Sequence, residues 1–268
     1  MRIDHQIAVL RSDAALQRCT QAPLSAAKKA WAASPGVDPL LAELRQFGEG
    51  AALGQLGHLR GLLYDREEAQ RFVGEWTARF CDALSQNALG QVPFRHSYSG
   101  NCAAIQFARC GRAALSLMVY DPVQDGAEPV TANFADRDQF ELVLSGEGMA
   151  DVRRLDDIRN SSQRPCVSSS RLALKPGITL DTSGPNLARH ISGVRSSLVI
   201  LQLARAPISP QPSREIRLSD GIIIHQACGH KRSSQNAMAI EVLGAMNRLD
   251  AAPVMKDIAL QSGPDHLR

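Results

Sequence analysis

The sequence predicts a mainly β chain with helical additions, an α+β protein in which a β-barrel is flanked by helices. Two stretches carry that reading. Phe140-Glu-Leu-Val-Leu-Ser-Gly-Glu-Gly148 is a run of branched residues closed by a glycine turn. Leu174-Lys-Pro-Gly-Ile-Thr-Leu180, continuing through His190 to Ala204, repeats the pattern as a facing hairpin. Between Gly90 and the C-terminal region, short apolar runs follow one another at turn-separated intervals. No helical pattern lies between them to make parallel crossovers.

Composition bounds the rest. The 268 residues are 44% hydrophobic and 21% charged, the profile of an ordinary globular chain. The formal charge of +3 is small and its signs are interspersed, and aromatics make up only 4%, which argues against a nucleic-acid partner. Six cysteines (Cys19, Cys81, Cys102, Cys110, Cys166, Cys228) show no CxxC spacing, so reduced thiols in a cytoplasmic protein are expected. The first residues, Met1-Arg-Ile-Asp-His-Gln, carry charge where a signal peptide needs an apolar core. No apolar run approaches the ~18 residues of a membrane helix.

Residues 1–37 are Ala- and Ser-rich, close on Ser34-Pro35-Gly36, and are expected to be weakly ordered. Residues 38–90 are expected to be helical and to pack on the barrel. Asp38 with Pro39 opens a first helix carrying Leu40, Leu41, Leu44 and Phe47. Leu53, Leu56, Leu59 and Leu63 suggest a second, weakened by Gly54 and Gly57. Asp65 followed by Glu68 is a capping-box-like start for a third. Its Phe72, Trp76 and Phe80 recur every four residues, as expected of a face docking on a core.

Residues 91–232 are the predicted barrel. Its strands are read at 104–108, 113–120, 140–144, 198–203, 215–218 and 222–224, with hairpin turns at Cys110-Gly111-Arg112 and Ser219-Asp220-Gly221. The Ser-rich segment 160–170 reads as a surface loop. Residues 233–268 return to helical period. Ser233 or Ser234 caps a helix bearing Met238, Val242, Met246 and Leu249, and Asp250 caps another with Val254, Met255 and Ile258 inward. Asp265 has the character of a further cap, which predicts that the natural chain continues past Arg268.

From 92 to 226 this order of elements resembles the cupin superfamily, whose fold is a small jelly-roll barrel. Gln139-Phe-Glu-Leu-Val-Leu-Ser-Gly146-Glu-Gly148 is similar to the end of the first cupin motif, and Leu174-Lys-Pro-Gly177 followed by His190 resembles the second. The resemblance implies a metal site of two histidines spaced HxH, a glutamate and a later histidine. Here His190 occupies the later position, Gln139 stands in the glutamate slot, and Thr131-Ala-Asn-Phe-Ala-Asp136 supplies no histidine. The resemblance also implies pairing into a homodimer.

The candidate ligand-binding residues are therefore His96, Tyr98, Gln139 and His190, with no catalytic residue and no cofactor assigned. His96 and Tyr98 alternate on an early strand and would share one face. A metal alternative (Fe, Mn or Zn) would combine His190 with His96 or His225. His225 and His230 flank Cys228, but four intervening residues do not place two ligands on one helix face. No GxSxG elbow, Walker loop or dinucleotide-binding loop occurs.

The expected function is a non-catalytic cupin-like module that binds a small ligand or a protein in a regulatory or assembly role. Two alternatives stand beside it: a metal-dependent oxygenase or isomerase, and a ligand-sensing transcription regulator. The tail 254–268 faintly resembles a helix-turn-helix of arabinose-regulator type. A HEAT-like helical pair offering a protein-binding surface is the preferred reading of those residues.

Overall fold

A computed structural model describes residues 5–123, 128–156, 166–229 and 231–260. Five helices precede the sheets: α1 (His5–Ser12), α2 (Ala14–Ala32), α3 (Asp38–Glu49), α4 (Gly57–Tyr64) and α5 (Arg66–Gln86). The first two correct the expectation of a weakly ordered segment over 1–37. Alanine is the best helix former. Asp13 caps α2 by accepting from the Ala15 and Leu16 amides at 2.8 and 3.0 Å, and Leu24 and Trp31, two turns apart, are buried.

Asp38 lies one residue inside α3, with Val37 in the cap position. The helix expected over Leu53–Leu63 divides at Leu56 into a 3-10 turn and α4. Asp65 caps α5 as expected, accepting from the Glu67 and Glu68 amides at 2.9 and 3.2 Å.

The strands are β1 (Arg95–Ser99), β2 (Cys102–Cys110), β3 (Ala113–Tyr120), β4 (Thr131–Phe134), β5 (Asp138–Leu155), β6 (Val167–Leu174), β7 (Thr179–Asp181), β8 (Leu187–Arg205), β9 (Ser213–Arg217) and β10 (Ile223–Ala227). They form two antiparallel sheets, one ordered β1-β2-β3-β8-β5-β6 with β7 also on β5, the other β10-β9-β4. Among the described residues no ladder joins the two sheets, so the expected jelly-roll barrel is not closed there. Instead β5 and β8, of 18 and 19 residues, pair along their length and bend together through irregularities between Val143 and Ala150. Gly146 makes that bend possible: at φ +85° it lies against the Ser197 carbonyl, where any Cβ would collide. Both predicted hairpin turns form, with Gly111 at φ +57° and Gly221 at φ +71°. Residues 167–170 of the predicted surface loop belong to β6, while 157–165 lie outside the described residues.

Alternation along β5 divides the large sheet into two unlike faces. Phe140, Leu142 and Leu144 turn toward the helices, where they join Phe47, Phe72, Trp76 and Phe107 in one core. The stripe of α5 docks as expected: Phe107 meets Phe72 and Trp76 edge-on at 5.3 and 5.1 Å between ring centroids. Arg205 fastens the layers. Its guanidinium pairs with Asp138, donates to the Phe47 and Ala51 carbonyls at 2.8 Å, and lies over the Phe47 ring.

At the C-terminal end, α6 (Lys231–Ala245) and α7 (Ala252–Leu260) follow the sheets. Of the residues expected to face inward, Met255 and Ile258 are partly buried and Val254 is exposed. Met238, Val242, Met246, Leu249 and Val254 are all more than half exposed. These exposed residues lend no support to a HEAT-like pair. Asp265 and residues 261–268 lie outside the described residues. No described helix is long and apolar enough to cross a membrane, and all six cysteines are free thiols.

Candidate functional site

On the second face of β5, Gln139 and Glu141 are buried side by side, each 1% exposed. Glu141 lies opposite Gln202 of β8, and Gln139 precedes it by two residues on the same face. Glu141 Oε1 collects three donors: Arg189 Nη2 at 2.7 Å, Gln202 Nε2 at 2.7 Å and Gln139 Nε2 at 3.1 Å. The Arg189 terminal nitrogens also lie 3.4 Å from the Tyr120 hydroxyl oxygen. Burial opposes the Arg189 charge, but Glu141 and Tyr120 outweigh it and hold the guanidinium firmly protonated. Burial likewise pushes the Tyr120 hydroxyl above its ordinary value.

Desolvating both ions of such a pair costs several kcal/mol each, so it is weak evidence for stability and stronger evidence for a fixed polar platform. The platform is not saturated. Glu141 Oε2, Gln139 Oε1 and Arg189 Nε are buried with no partner among the described residues.

His190 follows Arg189 and stands across from Asp151, so alternation turns it to the opposite face. Two hollows meet there. The larger, about 470 Å3, is lined by Asn101, Met149, Asp151, Arg171 and Ser192 beside His190. The smaller, about 230 Å3, lies against β4 and is lined by Thr131, Asn133, Arg137, Arg153 and Arg189 with His190. Asp151 accepts from Arg171 Nε at 2.8 Å. Burial alone would raise its pKa, but this hydrogen bond holds the carboxyl below its ordinary value. Burial, aided by Arg153, lowers the His190 pKa and favours a neutral imidazole. Desolvation also lowers that of Arg137, against the attraction of Glu141.

The four expected residues do not form one site. Gln139 joins the buried platform and His190 the hollows. His96 and Tyr98 share one face of β1, an exposed edge strand, and Tyr98 is 68% exposed. Both line a shallow apolar groove of about 260 Å3 with Ile105, Leu117 and Val119. His225 is on β10 of the other sheet, and His230 lies outside the described residues.

The donors do not fit the metal that the fold family implies. Among the described residues no three His, Cys, Asp or Glu side chains converge. Glu141, beside Gln139, is already bound to a guanidinium that would repel a cation, and Asp151, beside His190, is held by Arg171. Sequence reasoning missed Glu141, Gln202, Tyr120, Arg137, Arg153 and Arg189. Its available signal was Glu141 itself, a charge inside the apolar run Phe140–Leu144 and in phase with Gln139.

No family model matches the chain, and no curated protein matches it. Several solved structures resemble part of it. A cupin superfamily protein from Desulfitobacterium hafniense is 16% identical with a TM-score of 0.28, over 41% of this chain and 83% of that one. A putative mannose-6-phosphate isomerase from Ralstonia eutropha is 9% identical with a TM-score of 0.28, over 41% and 88%. The 7S globulin of Momordica charantia is 11% identical with a TM-score of 0.31, over 46% of this chain, which spans only 35% of that protein. The chain thus has cupin proteins among its structural neighbours. At TM-scores of 0.28 to 0.31 these likenesses carry no argument about this chain's fold or activity.

Proposed function

We propose that this chain is a non-catalytic, cupin-like module that binds a small polar ligand at the hollows meeting on His190, in a regulatory or assembly role. One observation carries the reading. A rigid, buried platform built on Glu141 and Arg189 backs a hollow whose wall is polar and cationic rather than apolar. Rigid side chains behind a concave polar wall are what a ligand site requires.

The test is a thermal-shift screen of small polar compounds on the full chain, with His190→Ala beside it. A ligand at a hundred times its dissociation constant stabilises by about 2.7 kcal/mol, roughly 5–10 °C for a chain of this size. That shift, lost in the variant, is the expected result. A wild-type protein that no compound stabilises would contradict the proposal.

The exposed stripe Met238, Val242, Met246, Leu249 and Val254 supports a second reading, self-association into a homodimer through α6 and α7. Sedimentation velocity that stays monomeric as the concentration is raised would end it.

A further inference from the structure

The ligand-binding reading above leaves the class of ligand open, and the smaller hollow narrows it. Three arginines are among the residues lining the hollow of about 230 Å3: Arg137, Arg153 and Arg189. Among the described residues, Arg189 is the one of the three with a carboxylate in ion-pair contact, Glu141. Arg153 is 92% buried (8% exposed) and makes no hydrogen bond or ion pair among the described residues, and the exposed Arg137 side chain makes none either.

The neighbouring carboxylates are otherwise engaged. Asp151 is held by Arg171, Asp138 by Arg205, and Glu215 accepts from Thr131. The polar wall is completed by Asn133 and Thr131, an amide and a hydroxyl that can donate. A buried guanidinium without a counter-charge is costly, and the planar fork of arginine matches the paired oxygens of phosphate and carboxylate.

We propose that this hollow is an oxyanion site, taking the phosphate or dicarboxylate end of a small ligand between Arg137 and Arg153. Arg189, held by Glu141, also lines it. The volume admits a head group and little more, and His190 opens it toward the larger hollow, where the remainder of the ligand would lie. The inference rests on the ligand-binding reading and goes further than it.

The experiment is calorimetric titration of the full chain with inorganic phosphate and with succinate, at fixed ionic strength in chloride, with glycerol as the neutral probe. The wild type is expected to bind phosphate or succinate saturably, and whichever binds identifies the head group. Arg153→Gln and Arg137→Gln should each weaken that binding at least tenfold, while the remote Arg248→Gln leaves it unchanged. Arg137 is the less buried of the two, so its variant keeps the test decisive if Arg153→Gln fails to fold by circular dichroism.

Unchanged affinity in a folded variant would overturn the oxyanion site. So would a wild type that ignores both anions yet binds a neutral compound in a His190-dependent way, and that outcome would leave the broader ligand-binding reading standing. Binding of nothing, charged or neutral, would sink both.

Discussion

The two faces of the large sheet are built from alternate residues of the same strand, yet they follow opposite rules. Toward the helices, Phe140, Leu142 and Leu144 of β5 meet rings and leucines, and the face is dry and apolar. Away from them, Gln139 and Glu141 enter a charged network with three buried atoms left without partners among the described residues. The first face can be optimised for packing because nothing else is asked of it. The second keeps costly polar groups that packing alone does not need. The difference separates the residues that hold the fold from those that give it a site.

The largest effect is expected on the packed face. Phe107→Ala removes a ring in contact with Trp31, Phe72 and Trp76. It should cost about 3–5 kcal/mol in chemical denaturation. A loss under about 1 kcal/mol would mean that the helices do not dock there.

On the polar face, Glu141→Ala strands the Arg189 charge and should cost about 3–5 kcal/mol. The double replacement Glu141→Leu with Arg189→Met should recover most of that, because the pair contributes little net stability. If the double variant is as unstable as the single one, the pair is structural and the contrast between the faces fails.

Smaller effects sharpen the same comparison. Asp65→Ala removes the cap of α5 and should cost about 1 kcal/mol without altering either face. The Asp151–Arg171 pair, with Arg171 largely exposed, should contribute at most about 1 kcal/mol. Its pH dependence has a definite sign. The folded Asp151 pKa is depressed, so the contribution is present above the unfolded carboxylate pKa of about 3.9 and drains away as pH falls through the lower folded value. Arg171→Gln should therefore lower stability by at most about 1 kcal/mol near neutrality, converge with the wild type below the folded pKa, and so flatten the acid limb of the stability curve.

Local signals were legible in the sequence wherever one periodicity or one cap decided the outcome. The α5 cap at Asp65, the stripe Phe72-Trp76-Phe80 and the turns at Gly111 and Gly221 belong here. Features set by long-range pairing were not. Barrel closure depends on whether the ends of β4, β9 and β10 reach the large sheet, and no local pattern encodes that. Order in α2 depends on Leu24 and Trp31 finding a core made by residues far along the chain.

The site was missed by small displacements. Gln139 was the right face and His190 the right strand, but the carboxylate lay two residues on at Glu141. The residue reaching it was Arg189, one place from His190. In a strand a single step reverses the face, so proximity in sequence gave the neighbourhood and not the contact.

The most direct measurement is an NMR titration of the isotope-labelled full chain with the oxyanion that binds, following arginine Nε–H and tryptophan indole N–H signals together. The central claim predicts that the Arg153 and Arg189 signals move and saturate together while those of Trp31 and Trp76, on the packed face, stay in place. Indole signals that shift with the ligand, or arginine signals that never move, would contradict the separation of site from core.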